Sequence, residues 1–138
     1  MIAKIMKGLG FKGVINYILD PKKGTELIDS SGVRTDSINH IVQSFIDQTK
    51  LNPRVSKVVG HISLSFSAQD SSKLSNEWMA QIAREYMEKI GIKDTQYIIG
   101  RHFDKEHPHV HIAFNRIDNK GKTISDRNDR FRSEKICK

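Results

Sequence analysis

Between positions 102 and 116 the chain reads HFDKEHPHVHIAFNR, so that His102, His107, His109 and His111 fall within ten residues of one another. Histidine fills cores poorly and is a common metal ligand. The patterns of residues 95–103 and 108–117 predict two strands joined as a hairpin by a tight polar loop. Alternate side chains of a strand share a face. His109, His111, Ala113 and Asn115 then lie on one side of the second strand, while Val110, Ile112 and Phe114 turn towards the helices. On the first strand His102 shares its side with Gly100 and Ile98. Three imidazoles are thus expected to converge on a face free of helices, with Gly100 leaving space beside them. An isolated H-x-H on a strand is usually a solvated face. The third histidine at the partner end of the hairpin is what makes the pattern specific.

Three histidines with coordination positions left open describe a catalytic divalent-metal site, not a closed structural one. No cysteine lies nearby, which excludes a thiolate zinc site. Imidazoles accept zinc, manganese, nickel or cobalt, so the residues alone do not fix the ion. Asp104 and Glu106, in the connecting loop, are positioned to accept the outer N–H of a ligating imidazole and hold its tautomer. His107 precedes Pro108 and is out of phase with His109 and His111, and reads as loop surface.

Two further features bear on chemistry. In KVVGHISLSFS, residues 57–67, His61, Ser63, Ser65 and Ser67 alternate with Ile62, Leu64 and Phe66. Ser67 reads as ordinary solvent face. His61, Ser63 and Ser65 can form a shallow floor whose donors meet the phosphates of a nucleic-acid strand. The second feature is Tyr17. At about 100° per residue it stands away from the helical stripe of Phe11, Val14, Ile15, Ile18 and Leu19. A phenol held outward beside a metal can attack a phosphodiester and leave a covalent phosphotyrosine link, and a divalent cation stabilises the charge developing on that phosphate.

The elements that must position these groups follow from periodicity and punctuation. A first strand is expected at 2–7, then a helix from Phe11 to Leu19 ended by Asp20-Pro21. Residues 21–35 read as a loop with room for one edge strand. A second helix is expected over 36–50, and a third over 75–90 with Ser75 as N-cap, Gly91 as stop, and Trp78, Ile82 and Tyr86 in its apolar stripe. The fold class expected is α+β: a largely antiparallel central sheet with helices on one face, as a two-layer sandwich. The catalytic unit is expected over residues 1–118. Residues 119–138 form a basic tail that reads as the opening of a segment continuing in a longer protein.

The net charge of +7 suggests a polyanionic partner. No apolar run is long enough to span a membrane, and the first residues lack a signal-peptide pattern. One cysteine, Cys137, cannot form an internal disulfide, so a reducing cytoplasm is expected.

HFDKEHPHVHIAFNR resembles the third motif of plasmid mobilisation relaxases, members of the histidine–hydrophobic–histidine (HUH) endonuclease superfamily. KGLGFKGVINYIL resembles their N-terminal motif, in which a tyrosine follows a glycine-containing turn, and SLSF resembles the second motif. The best fit is the P-type or a related mobilisation branch. The resemblance implies an HUH relaxase or rolling-circle Rep-like fold and Tyr17 as the nucleophile that nicks one strand and becomes joined to its 5′ end. It implies His102, His109 and His111 as metal ligands, Mn²⁺ or Mg²⁺ ahead of Zn²⁺, Ni²⁺ or Co²⁺, with Asn115 supporting the site and Arg116 directed to phosphate. The implied partners are single-stranded DNA at an origin-of-transfer nick site beside an inverted repeat, accessory mobilisation proteins and a coupling protein, in the bacterial cytoplasm. Two other readings keep the same residues: a replication-initiator or transposase-type HUH nuclease, and a single-stranded DNA-binding module of this fold that does not cleave.

Overall fold

The computed structural model of the chain describes residues 1–67, 74–103 and 107–125. Asp104, Glu106, Cys137 and the basic residues from Arg127 onward lie outside them. The elements run β1 (Ile2–Gly8), α1 (Phe11–Ile18), a short 3₁₀ turn (Pro21–Lys23), β2 (Thr25–Ser31), α2 (Ile38–Thr49), β3 (Val59–Ser65), α3 (Asn76–Lys89), β4 (Tyr97–His102) and β5 (His109–Asn115). The strands form one sheet in the order β1-β3-β5-β4-β2, every neighbouring pair antiparallel. The α+β class with an antiparallel central sheet is as expected from the sequence. Residues 25–31 make a full edge strand against β4, with a register shift between Leu27 and Asp29.

Helices α2 and α3 form where a stripe and a cap coincide. Ser37 and Ser75 cap α2 and α3 by accepting from the backbone N–H groups of His40 and Trp78, which satisfies donors the first turn leaves open. Gly91, at φ 91°, takes the left-handed conformation that closes α3 without a Cβ penalty. On α3 the buried side chains are Met79, Ala80, Ala83, Tyr86 and Met87. Trp78, expected in that stripe, is half exposed, because the buried set turns about Met79 and Ala83 and leaves residue 78 on its flank.

The apolar side of the sheet meets α3 as expected: Ile62, Leu64, Ile99, Val110, Ile112 and Phe114 pack with Met79, Ala83, Tyr86 and Met87. The other side is not free of helices. Phe11, Ile15 and Ile18 of α1 and Ile41, Val42 and Phe45 of α2 pack on Val59, Ile98 and Ala113, which share the face of the histidines. The helix-free histidine face expected from the sequence is corrected accordingly: α1 and α2 cover half of it. The reason is local. Ala113 and Gly100 leave a shallow area there, and a Cβ on Gly100 would stand 2.6 Å from Ile18 Cγ2, so the space beside the histidines belongs to α1. β5, in the middle of the sheet with helices over both faces, is buried at all seven positions.

Candidate metal centre

Strand register brings the imidazoles together. His102 on β4 is paired with His109 on β5, and His111 with Gly100 and with Ser63 of β3. All three rings are buried. One ligand nitrogen from each of His102, His109 and His111 lies within 4.8 Å of the others. The His102 and His111 ring centroids are 4.2 Å apart. Three imidazoles form a donor set for a divalent ion, and the cluster can coordinate one.

The outer nitrogen of each ring is engaged. His102 Nε2 lies 2.8 Å from the Ile18 carbonyl, and His109 Nδ1 lies 3.1 Å from the His107 carbonyl. Carbonyls only accept, so both rings donate there, which puts the lone pair of each ring on Nδ1 of His102 and Nε2 of His109. His111 Nδ1 is 2.9 Å from His61 Nε2. His61 is half-buried, and desolvation holds its imidazole below the ordinary value, with the nearby His102 charge acting in the same direction.

Tyr17 stands against this cluster. α1 buries Phe11, Ile15 and Ile18 and turns Tyr17 outward, 40% exposed. Its ring meets His111 at 5.3 Å, His102 at 5.6 Å and His61 at 6.0 Å, edge to face in each case. The Lys23 ammonium lies over the same ring, 5.0 Å from its centroid, a cation–π geometry. Stacked Phe11 and Phe45, 4.6 Å apart, fix α1 to α2, and the Ile18 carbonyl ties α1 to His102.

A groove of about 760 Å³ opens from the histidines over β3 and β1, lined by Tyr17, His61, Ser63, Ser65, His109 and His111 and on its far wall by Met1, Ile2, Lys4 and Met6. His61, Ser63 and Ser65 therefore line it as a row. The far wall was not read from the sequence. The alternation Ile2, Lys4, Met6 within IAKIMKG was the available signal, and it needed the pairing of β1 with β3 to place it. His107 also lines the groove.

Two residues expected near the site are committed elsewhere. Asn115, fully buried, donates to the Phe45 carbonyl and to Gln96 Oε1 and accepts from the Ile117 N–H, so it anchors α2 to the end of β5. Arg116, expected towards phosphate, is buried and donates to the carbonyls of Lys57 and Ile124. Among the described residues no helix is long and apolar enough to cross a membrane.

Residues 17–138 match the family model described as relaxase, MobA/VirD2-like, nuclease domain. No curated protein matches the chain.

Proposed function

The chain belongs to the family of MobA/VirD2-like relaxases, as a nuclease domain, and from that membership we propose that it nicks and rejoins one DNA strand at an origin of transfer through Tyr17. The coarser activity follows from the family and the histidine cluster together: the protein is an enzyme, a metal-dependent nuclease of the HUH type. The observation that supports the finer reading is the edge-to-face contact of the Tyr17 ring with His61, His102 and His111.

His102, His109 and His111 would hold the ion, of which Mn²⁺ or Mg²⁺ is the proposed choice. When bound, it supplies a positive charge that orients the scissile phosphate and stabilises its developing charge. Tyr17 Oη attacks the phosphorus, so that an Oη–P bond forms as the P–O3′ bond breaks. The phenolic proton passes to water at the exposed rim of the site, and the departing 3′ oxygen takes a proton from solvent. The phosphodiester is exchanged, not hydrolysed, so a 3′-hydroxyl can reverse the step. Ser63 and Ser65 offer hydroxyls along the groove floor to the phosphates of the bound strand. Tyr17, as part of a packed helix, arrives with its position already fixed. Single-stranded DNA beside an inverted repeat is the proposed substrate, with accessory mobilisation proteins and a coupling protein as partners, in the bacterial cytoplasm.

The test is covalent trapping. The protein is incubated with Mn²⁺ and single-stranded origin oligonucleotides, and denaturing electrophoresis with peptide mass spectrometry is expected to show an adduct on Tyr17. Tyr17→Phe is expected to remove the adduct while oligonucleotide binding persists. An adduct on another side chain, or none with any origin sequence, defeats the proposal.

A further inference from the structure

We infer that His61 is a positioning residue for the metal centre: it accepts a hydrogen bond from His111 Nδ1–H and so holds His111 in the tautomer whose Nε2 can bind an ion. The 2.9 Å approach of His61 Nε2 to His111 Nδ1 admits two tautomer pairs. If His61 donates, His111 Nδ1 is the acceptor and its proton sits on Nε2, where it blocks coordination. If His61 accepts, Nε2 keeps its lone pair for the metal. The other two ligands settle which pair fits the site. Their outer nitrogens face backbone carbonyls of Ile18 and His107, which can only accept, so both rings already present ligand-competent tautomers. His111 completes the set only when His61 accepts.

Among these three outer partners His61 alone is a side chain, and so the one that substitution can alter. The same contact argues against His61 as a fourth ligand, because its Nε2 is turned to the outer nitrogen of His111. Position supports the role. His61 and His111 share one face of adjacent strands, offset diagonally across the β3–β5 pair, in which His61 faces Ala113 and Ser63 faces His111. The small side chain of Ala113 leaves room for the imidazole to lean towards His111. An outer partner of this kind raises the basicity of the ligand and fixes its ring, and its loss weakens metal binding by about 10–100-fold.

The inference rests on His102, His109 and His111 holding a metal, and its test uses no DNA, so it stands or falls apart from the nicking step. Mn²⁺ is titrated calorimetrically into the native chain and into His61→Leu, His61→Gln and His111→Ala. His61→Leu, of similar volume, is expected to bind Mn²⁺ about 10–100-fold more weakly, and His61→Gln, whose Oε1 can accept the same N–H, to recover most of the loss. Unchanged affinity in His61→Leu with strong loss in His111→Ala overturns the role of His61 alone. Unchanged affinity in His111→Ala overturns the metal centre beneath it. Equal loss in His61→Leu and His61→Gln overturns the acceptor role. Long-range ¹H–¹⁵N NMR of the unsubstituted, Zn²⁺-loaded protein needs no variant: a proton on His111 Nδ1 and none on His61 Nε2 is expected, and the reverse overturns the inference.

Discussion

His102 joins two tasks at one ring: it faces the ligand cluster through one nitrogen and binds the Ile18 carbonyl of α1 through the other. Removing it should therefore harm more than metal binding. His102→Ala leaves that carbonyl without its donor at a buried contact, which costs about 1–3 kcal/mol, so its melting temperature is expected to fall even without metal. His109→Ala removes a bond to the carbonyl of exposed His107, where water can take over, and should melt closer to the native chain. Differential scanning fluorimetry of the two metal-free variants checks this; equal losses would show that the Ile18 contact contributes nothing of its own. Acid should act on the same cluster through His61. Its folded-state value lies below the ordinary 6.5 for a histidine because of burial and the His102 charge. Between the two values the unfolded chain binds the more protons, so stability rises with pH through that window. It is lost as pH falls below about 6.5. Melting curves of the metal-free protein between pH 7.5 and 5.5 should show that loss, and His61→Gln should flatten it; identical slopes in both proteins would exclude His61 as its source.

The helix that carries Tyr17 is a poor helix on its own. It is eight residues long, contains Gly13, and has no side-chain cap at Gly10, so packing must hold it. Gly100 admits it: an added Cβ would meet Ile18 Cγ2 at 2.6 Å and the Ile18 carbonyl at 3.4 Å. Gly100→Ala should push α1 outward, costing about 1–3 kcal/mol of overpacking. Since the same shift moves Tyr17 and loosens the Ile18–His102 bond, adduct formation should fall by more than Mn²⁺ affinity does. An adduct rate that survives while stability drops would show that α1 can move without disturbing the site. The amphipathic stripes, the caps at Ser75 and Gly91 and the period-two rows of β3 and β5 were all readable in the sequence, because each is a local pattern. The cover over half the histidine face was not. It depends on small residues, Gly100 and Ala113, that look like solvent positions until a helix is placed on them. Nor could Asn115 and Arg116 be recognised as anchors, since Phe45, Gln96 and Lys57 come from other segments of the chain and Ile124 meets Arg116 only because the chain turns back after β5. The His61–His111 contact was hidden for a similar reason: it requires β5 to sit beside β3, a pairing the connections do not dictate.

For the molecule as a whole, the two packed faces explain how a buried histidine cluster and an open groove coexist. α3 covers the apolar face and α1 with α2 covers half of the opposite one, while the other half, over β3 and β1, stays accessible. That half is less basic than the net charge of +7 implies. Among the described residues lining the groove Lys4 is the lysine, on the same wall as apolar Met1, Ile2 and Met6, with Lys23 above Tyr17. On the proposed reading a single strand would lay bases on the apolar wall and neutralise about two phosphates, giving a slope of log affinity against log salt near −1.4. A tenfold rise in salt would then weaken metal-free binding only about 25-fold. Engagement of the whole net charge would instead give a slope near −5. Fluorescence anisotropy of a labelled oligonucleotide at several salt concentrations separates the two. The shallow slope is expected, together with a further loss of affinity in Met6→Asp that exceeds the loss in Lys4→Gln. A steep slope, or indifference to Met6, would move the strand off the groove and onto basic residues elsewhere in the chain.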